Sequence, residues 1–337
     1  MRWLGFDIGG ANLKVADGLG YADSSAFPLW KDPTRLVPVL RSAIDRAPVC
    51  DHLAVTMTGE LADCFETKQD GVVFILRAMQ AAAGDRPIQV YLNNGTLVCP
   101  ETAFREPLDA AATNWHALAS YAGRYTEQGA ALLIDVGSTT CDIVSIDHGR
   151  PVGCGGDDLQ RFLSGELLYT GVKRSPVCAL LQTVRYRGRE CPIAQEWFAT
   201  SQDVYLVLGD LPADADDRDT ADGRPATAAA ARARLARHIS ASAEQFDEVD
   251  AFEMARQVAE QQQEMLSRSI QVVTTRLPRA PDAVIVSGLG EFLARQALAK
   301  QGFAGTIISI ETELGWQISQ AAPAHALAVL AREASLV

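Results

Sequence analysis

Short apolar runs that end in polar turns divide the chain into alternating strands and helices. Residues 2–8 (RWLGFDI) and 11–16 (ANLKVA) flank Gly9-Gly10 and predict two strands joined by a hairpin-like turn. The other elements predicted in this half are helices at 34–46, 71–83 and 113–125 and strands at 52–57 and 88–92.

The same order of elements restarts near residue 131. A strand at 131–134 runs into Asp135, and residues 141–146 form the returning strand, so the first strand–turn–strand unit recurs. Residues 159–265 are mostly helical in pattern and are interrupted by an acidic loop, Asp210 to Arg224. The last predicted elements are strands at 283–286 and 305–310 and helices at 291–300 and 323–334.

This repetition predicts an α/β fold of two lobes with a central cleft. The first lobe spans residues 1–128 and is joined by the C-terminal helix, 322–337. The second lobe spans residues 129–321 and carries a helical insertion at about 159–268.

The chain has 337 residues, of which 48% are hydrophobic and 21% are charged, a composition typical of a globular protein. A net charge of −12 argues against nucleic acid or an anionic membrane as a partner. No apolar run has the length of a membrane span and no secretion signal is visible, so we expect a cytoplasmic protein. The seven cysteines form no C-x-x-C pair, which argues against zinc and iron–sulfur sites.

Two Asp-Gly loops carry the candidate chemistry. One is Asp7-Ile8-Gly9-Gly10, and the other begins at Asp135-Val136-Gly137. Glycine lets a backbone approach a ligand closely, and two facing loops would hold a phosphate chain between their N–H groups and hydroxyls. Asp7 and Asp135 would hold Mg²⁺ through water. The phosphate-binding residues predicted in these loops are Gly9, Gly10, Asn12, Gly137, Ser138, Thr139 and Thr140.

A third glycine loop, Ser287 to Glu291, lies between a predicted strand and a predicted helix, whose N-terminus favours an anion or a packed ligand. Its predicted binding residues are Ser287, Gly288, Gly290 and Glu291. In this order, the three loops resemble those of the actin, heat-shock chaperone and sugar-kinase superfamily. That resemblance implies a duplicated, ribonuclease H-like fold with two phosphate loops and one loop beside the nucleoside.

Longer strings narrow the resemblance and cover most of the chain. They are GFDIGGANLKVA (5–16), TGELADCFETKQDGV (58–72), IDVGSTTCDIV (134–144), LSGELLYTGVKRSPVC (163–178), FATSQDVYLVLG (198–209) and TADGR (220–224). These strings resemble the hydantoinase/oxoprolinase-related family of the tetrahydromethanopterin-linked one-carbon pathway. The resemblance implies a transferase of methanofuran or methylofuran biosynthesis, which joins an aminomethylfuran-methyl diphosphate to a phenolic tyramine- or tyrosine-type partner. Diphosphate leaves, an ether forms, and magnesium is required.

This chemistry needs a stabilised leaving group and an activated phenol. A furfuryl carbon bonded to diphosphate ionises readily, but a free phenol has a pKa of about 10, so a carboxylate or full carbocation character must help it react. Glu60, Asp135 and Asp142 are candidate bases, and the sequence does not choose between them. The complete predicted catalytic set is Asp7, Lys14, Glu60, Asp135 and Asp142.

Four basic residues are candidates for binding the anionic parts of the substrates. Lys14 is placed to reach the diphosphate, with an exposed strand lysine as the alternative. Lys68, Lys173 and Arg174 would bind diphosphate or a carboxylate, with solvated surface charges as the alternative. Thr220 to Arg224 is a candidate lid over the cleft.

Two other classes of function stay open at this point. The first is an ATP-dependent small-molecule kinase, which the three loops favour, although ATP is not the preferred ligand here. The second is an actin-like assembly protein, but no long exposed apolar strand suggests filament contacts. A homodimer also stays open.

Overall fold

Two β-sheets built on one plan organise the chain. The computed structural model describes residues 1–153, 155–242 and 244–336. The strands of the first sheet are β1 (Trp3–Ile8), β2 (Asn12–Ala16), β3 (Ala22–Ala26), β4 (His52–Met57), β5 (Ile88–Tyr91) and β6 (Leu97–Val98). The later strands are β7 (Ala130–Val136), β8 (Cys141–Asp147), β9 (Arg150–Pro151), β10 (Leu167–Leu168), β11 (Thr183–Tyr186), β12 (Arg189–Pro192), β13 (Ala283–Ser287) and β14 (Thr306–Ser309).

The strand order shows the duplication directly. The first sheet runs β3-β2-β1-β4-β5-β6 and the second runs β10-β8-β7-β13-β14. In each sheet the second strand returns antiparallel to the first, and the strand on the other side is parallel to it. All six residues of β1 are buried, as expected for a central strand covered on both faces. The two sheet cores confirm the predicted two-lobed, actin-like α/β fold.

Helices cover both sheets. They are α1 (Leu36–Arg46), α2 (Lys68–Ala83), α3 (Pro100–Ala103), α4 (Asn114–Ala122), α5 (Asp158–Ser164), α6 (Val177–Leu180), α7 (Ser201–Leu208), α8 (Ala228–Arg237), α9 (Glu248–Thr274), α10 (Glu291–Lys300), α11 (Ile310–Leu314), α12 (Trp316–Gln320) and α13 (Ala322–Ala334). Short 3₁₀ turns lie at Pro33–Arg35, Pro107–Ala110 and Gly123–Tyr125. In the described part of the chain, no helix combines the length and apolar character needed to cross a membrane.

Side-chain caps begin two helices that border the cleft between the sheets. The Thr67 hydroxyl accepts the N–H of Asp70 at 3.1 Å at the start of α2. The Asp157 carboxylate accepts the N–H of Gln160 at 2.9 Å at the start of α5. These caps satisfy N–H groups that the helices leave unpaired, so each helix begins at a defined residue.

The structure confirms the predicted helices and strands of both sheet cores and adds six strands that the pattern did not predict, β3, β6, β9, β10, β11 and β12. β3 has the polar sequence ADSSA on the edge of its sheet, so no apolar alternation marks it. β11 and β12 form a hairpin within the stretch predicted as mostly helical. Its turn, Arg187-Gly188, has φ values of 47° and 79°, as a tight hairpin turn requires, but Arg-Gly is a weak sequence signal for it.

Helix α13 packs against β1, β4 and α4. Gly5 permits the contact with β1, because a Cβ at this position would lie 2.2 Å from the backbone oxygen of Ala324. The last described helix therefore lies directly on the central strand of the first sheet.

The contact at Gly5 gives a stability prediction. Alanine normally suits a strand better than glycine, yet we expect Gly5→Ala to destabilise the protein by about 1–3 kcal/mol, because the clash is with backbone that has to shift. Urea unfolding measures the change. Gly156→Ala is the control, since a Cβ there meets only the Gln160 side-chain oxygen at 3.9 Å. Equal stability of the two variants would contradict this view of the contact.

Candidate active site

A cleft of about 480 Å³ lies between the two sheets, a size that suits a small-molecule substrate. Its walls contain most of the predicted phosphate-loop residues. The predicted residues that line it are Asp7, Gly9, Gly10, Asn12, Lys14, Asp135, Gly137, Ser138, Thr139, Thr140, Asp142 and Arg174.

The two loops are structurally equivalent turns. The N–H of Gly9 donates to the carbonyl of Asn12 at 3.0 Å, and the N–H of Gly137 donates to the carbonyl of Thr140 at 2.9 Å. Each pair closes the hairpin directly after the strand-end aspartate. The repeat seen in the sequence is therefore also a repeat of hydrogen bonding.

Neighbouring segments occupy the carbonyl groups of both turns. The carbonyls of Gly10 and Ala11 accept N–H groups from Leu29 and Phe27, at 2.8 and 2.9 Å. In the second turn, the Ser138 carbonyl accepts two N–H groups at 3.0 Å, from Lys173 and Arg174.

Four N–H groups at the tips of the turns have no such partner in the described part of the chain. Within the described chain, those of Gly10, Ala11, Ser138 and Thr139 donate to no protein acceptor. In each turn, carbonyl groups already accept hydrogen bonds while these N–H groups still lack an acceptor. Each turn therefore offers hydrogen-bond donors, as an anion-binding site does.

Lys14 lies at the centre of the cleft floor, among three carboxylates. β2 places it opposite Asp7, and the Lys14 Nζ and Asp7 Oδ2 atoms are 3.3 Å apart. Burial lowers the pKa of the Lys14 ammonium, but attraction to Asp7, Asp135 and Asp142 outweighs burial and raises it. Lys14 therefore carries a positive charge into the cleft. The alternative of an exposed strand lysine is wrong, since its side chain is 27% exposed.

The second sheet contributes Asp135 and Asp142, which lie opposite each other on β7 and β8. Burial raises the pKa of Asp135 to about 6, and the Lys14 ammonium opposes that rise. Asp142 accepts a hydrogen bond from the fully buried Arg161 at 2.8 Å. The Arg161 guanidinium also lies 4.1 Å from the ring centre of Trp115. Asp142 is thus held in an ion pair, whereas Asp135 has no arginine partner among the described residues.

Sequence reasoning missed several residues that line the cleft, and five of them bear on its chemistry. Arg161 was missed because α5 buries this arginine while Leu159, Phe162 and Leu163 stay exposed, the reverse of the pattern that predicts a helix face. Trp30 and Asp158 also line the cleft and had no motif to mark them. Tyr169 and Leu61 lay within the family-like strings, which was the one signal that could have found them.

Two of the predicted basic residues pair with acidic side chains at the border of the cleft instead of lining it. Lys68 lies 3.5 Å from Asp158, and Lys173 lies 3.6 Å from Asp217. Their predicted contact with diphosphate therefore requires these pairs to break.

The third glycine loop lies outside the cleft, which corrects its predicted placement. A Cβ on Gly288 would lie 2.5 Å from the Val136 carbonyl oxygen, and one on Gly290 would lie 2.5 Å from Val136 Cγ1. Glu291 accepts the Ser309 hydroxyl at 2.6 Å and the Glu311 N–H at 3.1 Å. The two glycines and Glu291 thus contribute to packing around the second loop. Ser287 lies on β13, next to Asp135 of the neighbouring strand β7, and is fully buried.

The candidate lid is tied to the body of the protein. The Asp222 carboxylate accepts from Arg234 at 3.0 Å and from Arg237 at 3.1 Å, both on α8. None of residues 220–224 lines the cleft. The structure therefore places this segment against α8, contrary to the predicted position over the cleft.

Comparisons with known proteins give the family. The family model described as hydantoinase/oxoprolinase matches residues 51–334. A relative from Methanocaldococcus jannaschii, (4-{4-[2-(gamma-L-glutamylamino)ethyl]phenoxymethyl}furan-2-yl)methanamine synthase, is 32% identical over 97% of this chain and 96% of its own length. The chain belongs to the hydantoinase/oxoprolinase family. The family resemblance of the sequence strings is thereby confirmed.

A second relative agrees with this assignment, and a solved structure agrees with the fold. A Methanococcus vannielii protein with the same name is 26% identical over 59% of this chain and 89% of its own. The PilM-PilN type IV pilus biogenesis complex contains a chain that matches with a TM-score of 0.51 and 12% identity, covering 98% of both chains, which shows the fold alone. The relatives from Methanocaldococcus jannaschii and Methanococcus vannielii are both named as synthases, which supports the broader prediction that this protein is a biosynthetic enzyme.

Glu60 is a buried carboxyl of the hydantoinase/oxoprolinase chain that does not line the cleft. It is 1% exposed, and neither carboxyl oxygen has a hydrogen-bond partner in the part of the chain that the structure describes. Burial raises the pKa of Glu60 to about 8, with the carboxylate of Asp158 adding to the rise and Lys68 opposing it. A protonated carboxyl cannot accept a proton, so near neutral pH Glu60 is a weaker candidate base than Asp135.

The raised pKa of Glu60 predicts how stability depends on pH. Between the unfolded pKa of about 4.3 and the folded value, the unfolded chain releases a proton that the folded chain keeps, so stability falls as pH rises. We expect the advantage of Glu60→Gln over the wild type to grow from about 1 kcal/mol near pH 5 to about 4 kcal/mol near pH 8, at roughly 1.4 kcal/mol per pH unit. Urea unfolding at both pH values measures this, with the exposed Glu66→Gln as control. A difference that does not change with pH would contradict the assignment.

Proposed function

We propose that this protein is a transferase of methanofuran or methylofuran biosynthesis. It joins an aminomethylfuran-methyl diphosphate to a phenolic partner of the tyramine or tyrosine type and releases diphosphate. The observation that carries the proposal is the 32% identity to a synthase of such a furan–phenol ether along almost the full length of both chains.

The geometry of the two turns supports a departing diphosphate as the bound anion. The furfuryl carbon–oxygen bond breaks, and the diphosphate keeps the electron pair. The unpaired N–H groups of Gly10, Ala11, Ser138 and Thr139 and the ammonium of Lys14 would stabilise the charge that develops on it. These donors are fixed before the reaction, so little reorganisation accompanies bond breaking.

Magnesium fits this site, where it would supply positive charge beside the diphosphate. Among the described residues, Oδ1 of Asp7 is buried without a hydrogen-bond partner, and the carboxylates of Asp7 and Asp135 both interact with Lys14. No group of three or more potential ligands gathers in the described residues, but Mg²⁺ usually takes one or two carboxylates together with substrate phosphates and water. Of the two predicted ligands, Asp7 would hold the ion, which would supply charge neutralisation for the leaving group.

The phenol needs a proton acceptor as its oxygen bonds to the furfuryl carbon. Asp142 is paired with Arg161, and Glu60 lies outside the lining of the cleft. Asp135 lines the cleft and has no arginine partner among the described residues, so it is the best placed of the three candidate bases. The proton moves from the phenol to this carboxylate, and the ether oxygen keeps the new carbon bond.

The kinase alternative has less support. It depends on a third loop that contacts a nucleoside, whereas Gly288 and Gly290 are closely packed against Val136. The assembly alternative gains no specific support from the described surface either. We therefore place ATP second to the furan diphosphate as the expected ligand.

The proposal predicts a reaction that needs no nucleotide. The purified protein, incubated with the furan diphosphate, a phenolic amine and MgCl₂, should yield diphosphate and the ether in equal amounts, detected by mass spectrometry. EDTA should stop the reaction, and added ATP should not change its rate. No ether under these conditions, or formation of ADP as the only product, would refute the proposal.

A variant at Lys14 tests the site within this assay. We expect Lys14→Met to reduce kcat about 100-fold, because loss of a fixed donor to a developing anion costs on that order. Lys300→Met, on the outer helix α10, is the matched control and should retain wild-type turnover. A Lys14→Met enzyme as fast as this control would place the leaving group elsewhere.

A further inference from the structure

Three large apolar side chains line the cleft beside its charged residues. They are those of Trp30, Leu61 and Tyr169. Leu61 is 53% exposed and Tyr169 is 65% exposed, which is unusual for large apolar side chains gathered at one site. Exposed apolar surface around a polar pocket is typical of a site that binds a partly apolar ligand.

Trp30 and Arg174 join this apolar group to the two anion-binding turns. Trp30 follows Leu29, whose N–H donates to the first turn at Gly10, and the N–H of Arg174 donates to the second turn at Ser138. The Arg174 guanidinium lies 4.7 Å from the ring centre of Trp30, so the two side chains meet across the cleft. The pair therefore borders the position at which both turns would hold one anion.

Arg174 already has a carboxylate beside it. Oδ2 of Asp219 lies 3.7 Å from Arg174 Nη1, and the Asp219 side chain is 72% exposed. An ion pair this open contributes about 0–1 kcal/mol, so a ligand carboxylate that makes a bidentate contact can displace it. The contact with Asp219 shows that Arg174 is placed to pair with a carboxylate beside the cleft.

We propose that Trp30, Leu61, Tyr169 and Arg174 form the subsite for the phenolic acceptor, and that Arg174 selects acceptors that carry a carboxylate. The inference rests on the proposed function, because it concerns the second substrate of that reaction. The aromatic and aliphatic side chains contact the phenol ring, and Arg174 binds the carboxylate after Asp219 leaves. The phenol oxygen then faces the floor, where the diphosphate departs.

Calorimetric titration with three phenols tests the subsite without turnover. Tyramine lacks a carboxylate, whereas L-tyrosine and γ-glutamyltyramine carry one. We expect the better of the two carboxylated phenols to bind the wild type at least tenfold more tightly than tyramine. Arg174→Gln should reduce this preference in affinity about tenfold, which is the lower end of the effect of a hydrogen bond to a charged group. We expect the lower end because the Arg174 side chain is 37% exposed.

Two further variants separate the parts of the subsite. Trp30→Leu should weaken all three phenols by a similar factor, since ring contact does not depend on the carboxylate. Arg268→Gln removes an exposed arginine of α9 and should leave all three affinities unchanged. Arg174→Lys should restore part of the preference, because it keeps the charge but loses the bidentate geometry.

The outcomes distinguish the subsite from the reaction. An unchanged preference in Arg174→Gln would overturn the inference, and so would a raised KM for the furan diphosphate with no effect on the phenols. If no ether forms in any assay while Arg174→Gln still loses the carboxylated phenol, the subsite stands and the proposed reaction fails.

Discussion

Carbonyl groups of two matched turns, those of Gly10, Ala11, Gly137 and Ser138, accept N–H groups of the protein itself, and the candidate site depends on this constraint. Segments at Phe27–Leu29 and Val172–Arg174 donate to these carbonyls. The turns are thereby fixed, with N–H groups that have no protein acceptor. An anion between them would satisfy groups that otherwise rely on water. The duplicated sheets matter for function because they bring two such turns to one cleft.

The charges on the cleft floor follow from the same duplication. Equivalent hairpins place Lys14 opposite Asp7 in one sheet and Asp142 opposite Asp135 in the other. One ammonium among three carboxylates leaves an excess of negative charge, so a diphosphate would enter together with a cation. An acidic protein can in this way bind an anionic substrate. The proposed reaction uses the turns for the leaving group and the carboxylates for the metal and the proton.

The sequence predicted the parts of the site that local chemistry determines. Both strand–turn–strand units were visible because strand, aspartate and glycine succeed one another along the chain. The position of the third loop was not predictable, since glycine at Gly290 allows close approach to a ligand or to Val136 equally well. The Arg161–Asp142 pair was hidden because α5 exposes its apolar residues. The contact between Trp30 and Arg174 joins residues 144 positions apart, which only the folded chain brings together.

A crystal structure with magnesium and diphosphate tests the central claim most directly. The account predicts one diphosphate between the turns, within hydrogen-bond distance of the N–H groups of Gly10, Ala11, Ser138 and Thr139, with the ion beside Asp7. The Lys14 ammonium should contact the same anion. Diphosphate bound at the Ser287 to Glu291 loop, or at one turn alone with the other facing solvent, would contradict it.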